Sequence, residues 1–550
     1  MKSVRCVSLF AVLMVLLIAT QSPPAAYANQ PDAPSQAQNL PAKMAALSAP
    51  VAQKPPVSFA KAVAYNAGGY YAYSIAIGDV NGDGHPDLVV ADSLQCGNCT
   101  NGGVSVLLGN GDGTFQAPVT YSSGGYNASS VAIGDVNGDG HPDLVIANQC
   151  QSIDQNGNCL GPGEVGVLLG NGDGTFQAPI TFNSSGYSSD SVAIADLNGD
   201  GHLDLVVANQ CADTSCVNGS VSVLLGNGDG TFQAPVGYNS GGYTTNSVVI
   251  GDLNGDGHPD LVVANECQDN NCSGGYLGIV GVLLGNGDGT FQAAVTYNTG
   301  GYVASSVAIG DLNGDGHPDL VVANQCVDSN CANGSAGVLL GNGDGTFQTA
   351  VGYSSGGYIA ASVAITDLNG DGKLDLAIAN YARTITNHHG ELSVLPGNGD
   401  GTFQAPVIFS SAGYDVTSVA LADVNRDGKS DALAANGCFT KSCGSAGVGV
   451  LLNDLTAMTA TALTSSPNPS LVNQSVTFTA TITSDPPIPD GEVVTFHNGK
   501  TNLGTGTTTN GVASLTTSFS KAKTYTVKAT YPGDAFHKAS KGTVKQVVNP

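Results

Sequence analysis

The chain has no tryptophan, four methionines and only 17 lysines and arginines in 550 residues. The scarcity of cations is the most restrictive of these absences. Nucleic-acid phosphates and anionic lipid surfaces require a basic face, and a formal charge of −26 excludes both as partners. The lack of tryptophan removes the best sugar-stacking side chain and leaves tyrosine as its substitute. Long apolar runs are also rare. The stretch Cys6–Thr20 is apolar but short for a membrane span, and it lies between Lys2/Arg5 and the tripeptide Ala26-Tyr27-Ala28. That layout is a secretory signal over residues 1–28, cleaved after Ala28. The mature chain is expected to be secreted or held at the cell surface, with no membrane insertion. Residues 29–56, rich in Pro, Ala and Gln, read as a linker. No G-x-S-x-G, H-E-x-x-H or phosphate-loop motif occurs, and no acid–base group that breaks the repeat symmetry is visible, so no enzymatic activity is expected.

What the chain has in abundance is an acidic nonapeptide, D-x-N-x-D-G-x-x-D. It occurs seven times, with steps of 56, 61, 56, 59, 56 and 56 residues between first aspartates. Three aspartates per copy account for 21 of the 43 acidic residues. Carboxylates packed this closely repel one another unless a cation neutralises them. Side-chain oxygens at positions 1, 3 and 5, a turning glycine at 6, a backbone carbonyl at 7 and a carboxylate at 9 form a hard, all-oxygen set of the kind Ca2+ takes. The first two candidate sets are Asp79, Asn81, Asp83, His85, Asp87 and Asp135, Asn137, Asp139, His141, Asp143. The next two are Asp196, Asn198, Asp200, His202, Asp204 and Asp252, Asn254, Asp256, His258, Asp260. The last three are Asp311, Asn313, Asp315, His317, Asp319, then Asp367, Asn369, Asp371, Lys373, Asp375, then Asp423, Asn425, Asp427, Lys429, Asp431. Position 7 offers only its carbonyl, which explains how Lys373 and Lys429 replace histidine, and its side chain is expected to stay free. Arg426 stands where the other copies have glycine and is expected to weaken the seventh site. The aspartates of the recurring NGDG segments, such as Asp112, read as turn residues rather than ligands.

Between the acidic loops the unit repeats four short, β-branched segments: SVAIGD, DLVVAN, VSVLLGN and TFQAPVTY, the last followed by Gly-Gly-Tyr. Four antiparallel strands repeated seven times predict a seven-bladed β-propeller over residues 57–453, within an all-β fold. The seventh unit lacks its fourth strand, and Val57–Tyr65 carries the missing pattern, so the N-terminal segment is expected to close the ring. Alternating strand direction puts the acidic and NGDG loops on one face. The cysteine loops and the Gly-Gly-Tyr segments fall on the other. The pairs Cys96/Cys99, Cys150/Cys159, Cys211/Cys216, Cys267/Cys272, Cys326/Cys331 and Cys438/Cys443 read as local disulfides. One tyrosine per unit (Tyr70, Tyr126, Tyr187, Tyr243, Tyr302, Tyr358 and Tyr414) reads as packing between blades. The sixth unit has no cysteines; its Tyr381–Gly390 segment, with His388-His389, reads as an exposed polar loop. Residues 456–550 change character: Ser475–Thr483 and Tyr525–Tyr531 alternate apolar and polar residues, which predicts a small β-sandwich.

The repeats resemble the FG-GAP/VCBS family, best known from integrin α-subunit propellers, through the seven acidic loops, Thr114–Val119 and its copies, and the Gly-Gly-Tyr that follows. The tail is similar to bacterial Ig-like repeats through Val476–Ile482 and Tyr531-Pro-Gly-Asp. The resemblance implies structural calcium, up to seven ions, and adhesion or recognition of an extracellular protein or glycan. A secreted polysaccharide hydrolase or lyase, or a matrix component without a ligand, are the alternatives that the fold leaves open.

Overall fold

The computed structural model describes residues 57–94, 101–154, 159–269, 272, 276–382, 388–453, 459–484, 487–534 and 537–550. The expected signal and linker, the Cys96/Cys99 pair, and the start of the tail at 456–458 lie outside these residues.

All regular elements described are strands. Their pairing resolves into seven four-stranded antiparallel blades. Blade 1 is Tyr71–Gly78, Asp87–Ser93, Gly102–Leu107 and Val119–Ser122. Blade 2 is Tyr126–Gly134, Asp143–Cys150, Glu164–Leu168 and Ile180–Asn183. Blade 3 is Tyr187–Ala195, Asp204–Cys211, Ser220–Leu224 and Val236–Asn239. Blades 4 and 5 share the long strand Val295–Gly310, and blades 6 and 7 share Val407–Ala422. In blade 7 the fourth place is taken by Val63–Asn66, which pairs with Gly447–Leu451 in the register Val63↔Val450 to Asn66↔Gly447. The expected closure from the N-terminus is therefore what the chain does.

The cores lie between blades rather than within them. Seven hydrophobic clusters each join two consecutive blades. One of them unites Ala72, Ile75 and Leu88 of blade 1 with Leu433, Val448 and Val450 of blade 7. Every junction also carries one edge-to-face aromatic pair, such as Tyr121–Phe176, and Tyr65–Phe115 does this between blades 7 and 1. A hydrogen bond from Thr417 Oγ1 to the Ala72 carbonyl, 3.0 Å, adds a polar tie across the same seam. Closed in this way, blade 7 has four strands like its neighbours, and its outer edge is the short strand Val63–Asn66.

The fourth strands start later than TFQAPV implies. Phe115 makes a single bridge to Gly109, and regular pairing begins at Val119. Pro118, Pro179, Pro235 and Pro406 cannot donate to a ladder, although the blades with Ala294 and Ala350 at this place follow the same path.

The tail is a sandwich. Ala460–Ser466, Ser475–Thr483 and Val512–Ser518 form one sheet; Ser470–Leu471, Ser540–Asn549, Lys523–Tyr531, Val493–Asn498 and Thr501–Thr507 form the other. The alternation in Ser475–Thr483 buries Val476, Phe478, Ala480 and Ile482 against Val494, Phe496 and Tyr531.

Candidate functional site

Each acidic loop follows a first strand and is wound around its position-1 carboxylate. In blade 1, Asp79 Oδ1 accepts the backbone N–H of Gly82 at 2.7 Å, and Oδ2 accepts that of Gly84 at 2.8 Å. Asn81 Oδ1 accepts the Asp83 N–H, and Asp83 Oδ1 accepts the His85 N–H, at 2.9 and 2.8 Å. Gly82 and Gly84 take φ of 73° and 81°, which glycine adopts without cost. The same contacts recur from Asp135, Asp196, Asp252 and Asp311, and in most part from Asp367.

Position 9 has a second task. Asp87 is fully buried, and its two oxygens accept the N–H groups of Val80 and Gly109 at 2.9 and 2.7 Å. It is thus a strut between the acidic loop and the end of the third strand, a role shared by Asp143, Asp204, Asp260, Asp319, Asp375 and Asp431. Burial raises its pKa above the ordinary carboxylate value, and repulsion from Asp83 and Asp79 adds to this. Neither hydrogen bond prevents a carboxylate oxygen from also meeting a cation, since each has a further lone pair.

The histidines at position 7 are not free, contrary to expectation. A β-carbon on Gly111 would lie 2.3 Å from His85 Nδ1, and Gly172, Gly228, Gly287 and Gly343 are covered likewise by His141, His202, His258 and His317. The ring roofs the NGDG hairpin, which only glycine permits. This also puts the acidic loop and the hairpin on one face. The hairpin aspartates serve the turn, as expected: Asp112 Oδ1 accepts both the N–H and the hydroxyl of Thr114, which holds its pKa below the ordinary value.

The oxygens fit a hard divalent cation. The side-chain donors at positions 1, 3, 5 and 9 are all oxygen, the carboxylates repel one another, and in the sixth loop Asn369 Oδ1 is buried with no hydrogen-bond partner among the described residues. The seventh loop differs. Lys429 Nζ lies 3.7 Å from Asp427 Oδ2, and Arg426 turns its guanidinium to His85 Nδ1 of blade 1, at 3.1 Å.

On the opposite face, five disulfides close the loops between second and third strands: Cys150–Cys159, Cys211–Cys216, Cys267–Cys272, Cys326–Cys331 and Cys438–Cys443. Tyr126, Tyr187, Tyr243, Tyr302 and Tyr414 each stand across a strand pair from the first cysteine of their blade. The cysteine-free sixth loop holds a cluster that sequence reading missed. His388 Nδ1 lies 3.2 Å from Asp415 Oδ1 of blade 7, the His388 ring meets Tyr381 edge-on at 6.2 Å, and the Tyr71 ring of blade 1 covers Gly437 of blade 7. Asp415 also lies near Cys438 and Cys443, but those sulfurs are joined as a disulfide and offer no thiolate to a metal.

Seven loops of this form, on seven blades, match the FG-GAP-like repeat family over residues 79–146, 158–207, 211–263, 268–322, 327–378 and 381–434. The chain belongs to this family. An FG-GAP repeat is matched at 244–283 as well, and a bacterial Ig-like domain (group 3) at 463–549. Among curated proteins the chain is similar to integrin alpha-V of Gallus gallus, 28% identical over 209 residues, and to integrin alpha-IIb of Mus musculus, 31% identical over 216. These matches cover 35% and 36% of this chain, which spans only 20% of the length of either relative. Among solved structures it is similar to the exotype rhamnogalacturonan lyase YesX, with TM-score 0.40, 14% identity, and coverage of 72% of this chain and 75% of that one. It is also similar to the NanB sialidase of Streptococcus pneumoniae, with TM-score 0.37, 11% identity, and coverage of 73% and 71%. Among the described residues no helix is long and apolar enough to cross a membrane.

Proposed function

We propose that this FG-GAP propeller is an exported, calcium-stabilised recognition module. One face would hold Ca2+ in its acidic loops; the other would present braced loops to an extracellular protein or glycan. The observation that carries this reading is the loop geometry. In each of the first six copies the position-1 carboxylate is wrapped by backbone amides. Positions 3 and 5 then stand beside it, so that several side-chain oxygens share one turn. The integrin relatives and the disulfides support an extracellular setting.

The ion's part is electrostatic: it would cancel repulsion among Asp79, Asp83 and Asp87 and their counterparts. The residues do the rest by fixing the turn and tying it to the third strand. Because only the folded chain holds the ligand set, a site at 100 times its Kd stabilises the fold by about 2.7 kcal/mol. Melting the full chain in calcium and in EGTA is the test. A fall of many degrees on chelation is expected; equal melting temperatures would overturn the reading. The proposed role is binding without turnover, and release of reducing ends from a polysaccharide would refute that part.

A further inference from the structure

Position 7 of the acidic loop has a structural task that the seventh copy cannot perform. In blades 1–5 the histidine at this place lies over the first glycine of the NGDG hairpin. In blade 6 the stem of Lys373 does the same: its Cδ and Cε lie 2.9 and 3.1 Å from where a β-carbon on Gly399 would stand. Lys373 is otherwise exposed. Blade 7 has no such hairpin. No NGDG follows its third strand Gly447–Leu451, and its fourth strand comes from the N-terminus.

With no hairpin to cover, Lys429 folds back on its own loop. Its side chain is 12% exposed, and Nζ lies 3.7 Å from Asp427 Oδ2. In the first five loops the same oxygen of position 5 accepts a hydrogen bond from Nδ2 of the position-3 asparagine, at 2.9–3.0 Å. The backbone of the seventh loop is still wound like the others. Asp423 Oδ2 accepts the Gly428 N–H at 2.7 Å, and Asp427 Oδ1 accepts the Lys429 N–H at 3.0 Å. A turn of the same shape gathers the same carboxylates and needs the same relief of their repulsion.

Formal charge separates the copies in the same way. Loops 1–5 each hold three aspartates and a neutral histidine, a charge of −3 that one divalent ion would reduce to −1. The seventh loop holds three aspartates with Arg426 and Lys429, so it stands at −1 from its own side chains. The guanidinium of Arg426 is turned to His85, whereas the ammonium of Lys429 is turned inward to the loop's own carboxylate. An ammonium is a compact point charge, and here its stem is packed against the protein. A divalent ion entering this loop would meet that fixed positive charge beside one of its own ligand oxygens.

We infer that Lys429 is the resident cation of the seventh loop. Its ammonium supplies the charge that calcium is proposed to supply in the first six, and blade 7, where the two ends of the propeller meet, is completed without an ion. The inference rests on the calcium reading above and adds that the closing blade is held by a charge that chelation does not remove. The test is a count of bound calcium on the full chain, by equilibrium dialysis at saturating calcium followed by metal analysis. Asp427→Asn should leave the count of the wild type unchanged, whereas Asp200→Asn should lower it by one. Arg426→Gly combined with Lys429→Met, which removes both charges and keeps the stem at position 7, should bind one ion more than the wild type. Lys373→Met should change nothing, because that side chain lies on a hairpin outside its loop. Melting curves in calcium establish that each variant is folded before its ions are counted. A count that falls by one in Asp427→Asn, that does not rise in the double variant, or that rises equally in Lys373→Met overturns the inference. A wild-type chain that binds no calcium overturns the wider reading with it, so the two failures are told apart.

Discussion

Arg426 reaches across the closure of the ring to His85: its guanidinium lies 3.1 Å from Nδ1, joining the last acidic loop to the first. To stand at this turn Arg426 holds a φ of 62°, where the other copies have glycine. A side chain in that region costs about 1 kcal/mol. Arg426→Ala should keep the strain and lose the contact, whereas Arg426→Gly should lose both. The glycine variant is therefore expected to be the more stable of the two by about 1 kcal/mol in denaturant titrations. Equal stabilities would mean that the turn is unstrained.

Positions 5 and 9 of one loop should respond differently to chelation. Asp200 is exposed and offers its carboxylate to the loop; Asp204 is buried and accepts two backbone N–H groups at 2.8 and 2.7 Å. Asp200→Asn should shrink the calcium-induced rise in melting temperature and lower the bound calcium by one ion, with little effect in EGTA. Asp204→Asn should cost about 1.5–3 kcal/mol with or without calcium, because it breaks charged hydrogen bonds of the scaffold. Melting curves and calcium stoichiometry on both variants make the comparison.

Asp92 occupies the place of Asn148, Asn209, Asn265, Asn324, Asn380 and Asn436 in the other blades. Burial pushes its pKa up to about 7, against the hydrogen bond from Ser105 Oγ at 2.7 Å. The folded state thus favours the protonated acid. Its stabilising contribution is present at low pH and is lost as pH rises through about 7. Asp92→Asn should raise stability by about 2–4 kcal/mol at pH 8.5 and change it little at pH 4, near the unfolded value. Chemical denaturation at the two pH values checks this, and a gain equal at both would count against it.

The disulfides Cys211–Cys216, Cys267–Cys272, Cys326–Cys331 and Cys438–Cys443 each close five residues of sequence separation. Loops so short restrain the unfolded chain only slightly, by about 2 kcal/mol each. Cys326→Ser with Cys331→Ser should lower stability by about that amount and leave the blade folded, as seen by circular dichroism. Thiol labelling of the native protein should find none of these eight sulfurs free.

Much of this was legible because the repeat reports on itself. The seven acidic loops, the strand order and the part played by Val63–Asn66 in completing blade 7 all follow from comparing one unit with the next. The start of the fourth strand was not legible, since Phe115 to Pro118 looks extended but passes beside the ladder as a single bridge. The histidine roof over Gly111 was missed because its signal, a recurring glycine opposite a ring present in five of the seven copies, reads equally well as plain turn chemistry. The Tyr71–Tyr381–Asp415–His388 cluster was hidden for a different reason. Its members lie in three blades, and each alone is an ordinary substitution; only the closed ring brings them together.

Because Val63 pairs with Val450, the wheel has no finished rim until its final spoke has been made. A growing polypeptide must carry that short N-terminal strand unmatched while blade after blade assembles behind it. Completion is therefore a late, single event that joins first-made to last-made chain. A fragment cut short anywhere before Gly447 would be left with a gap that no local rearrangement can fill.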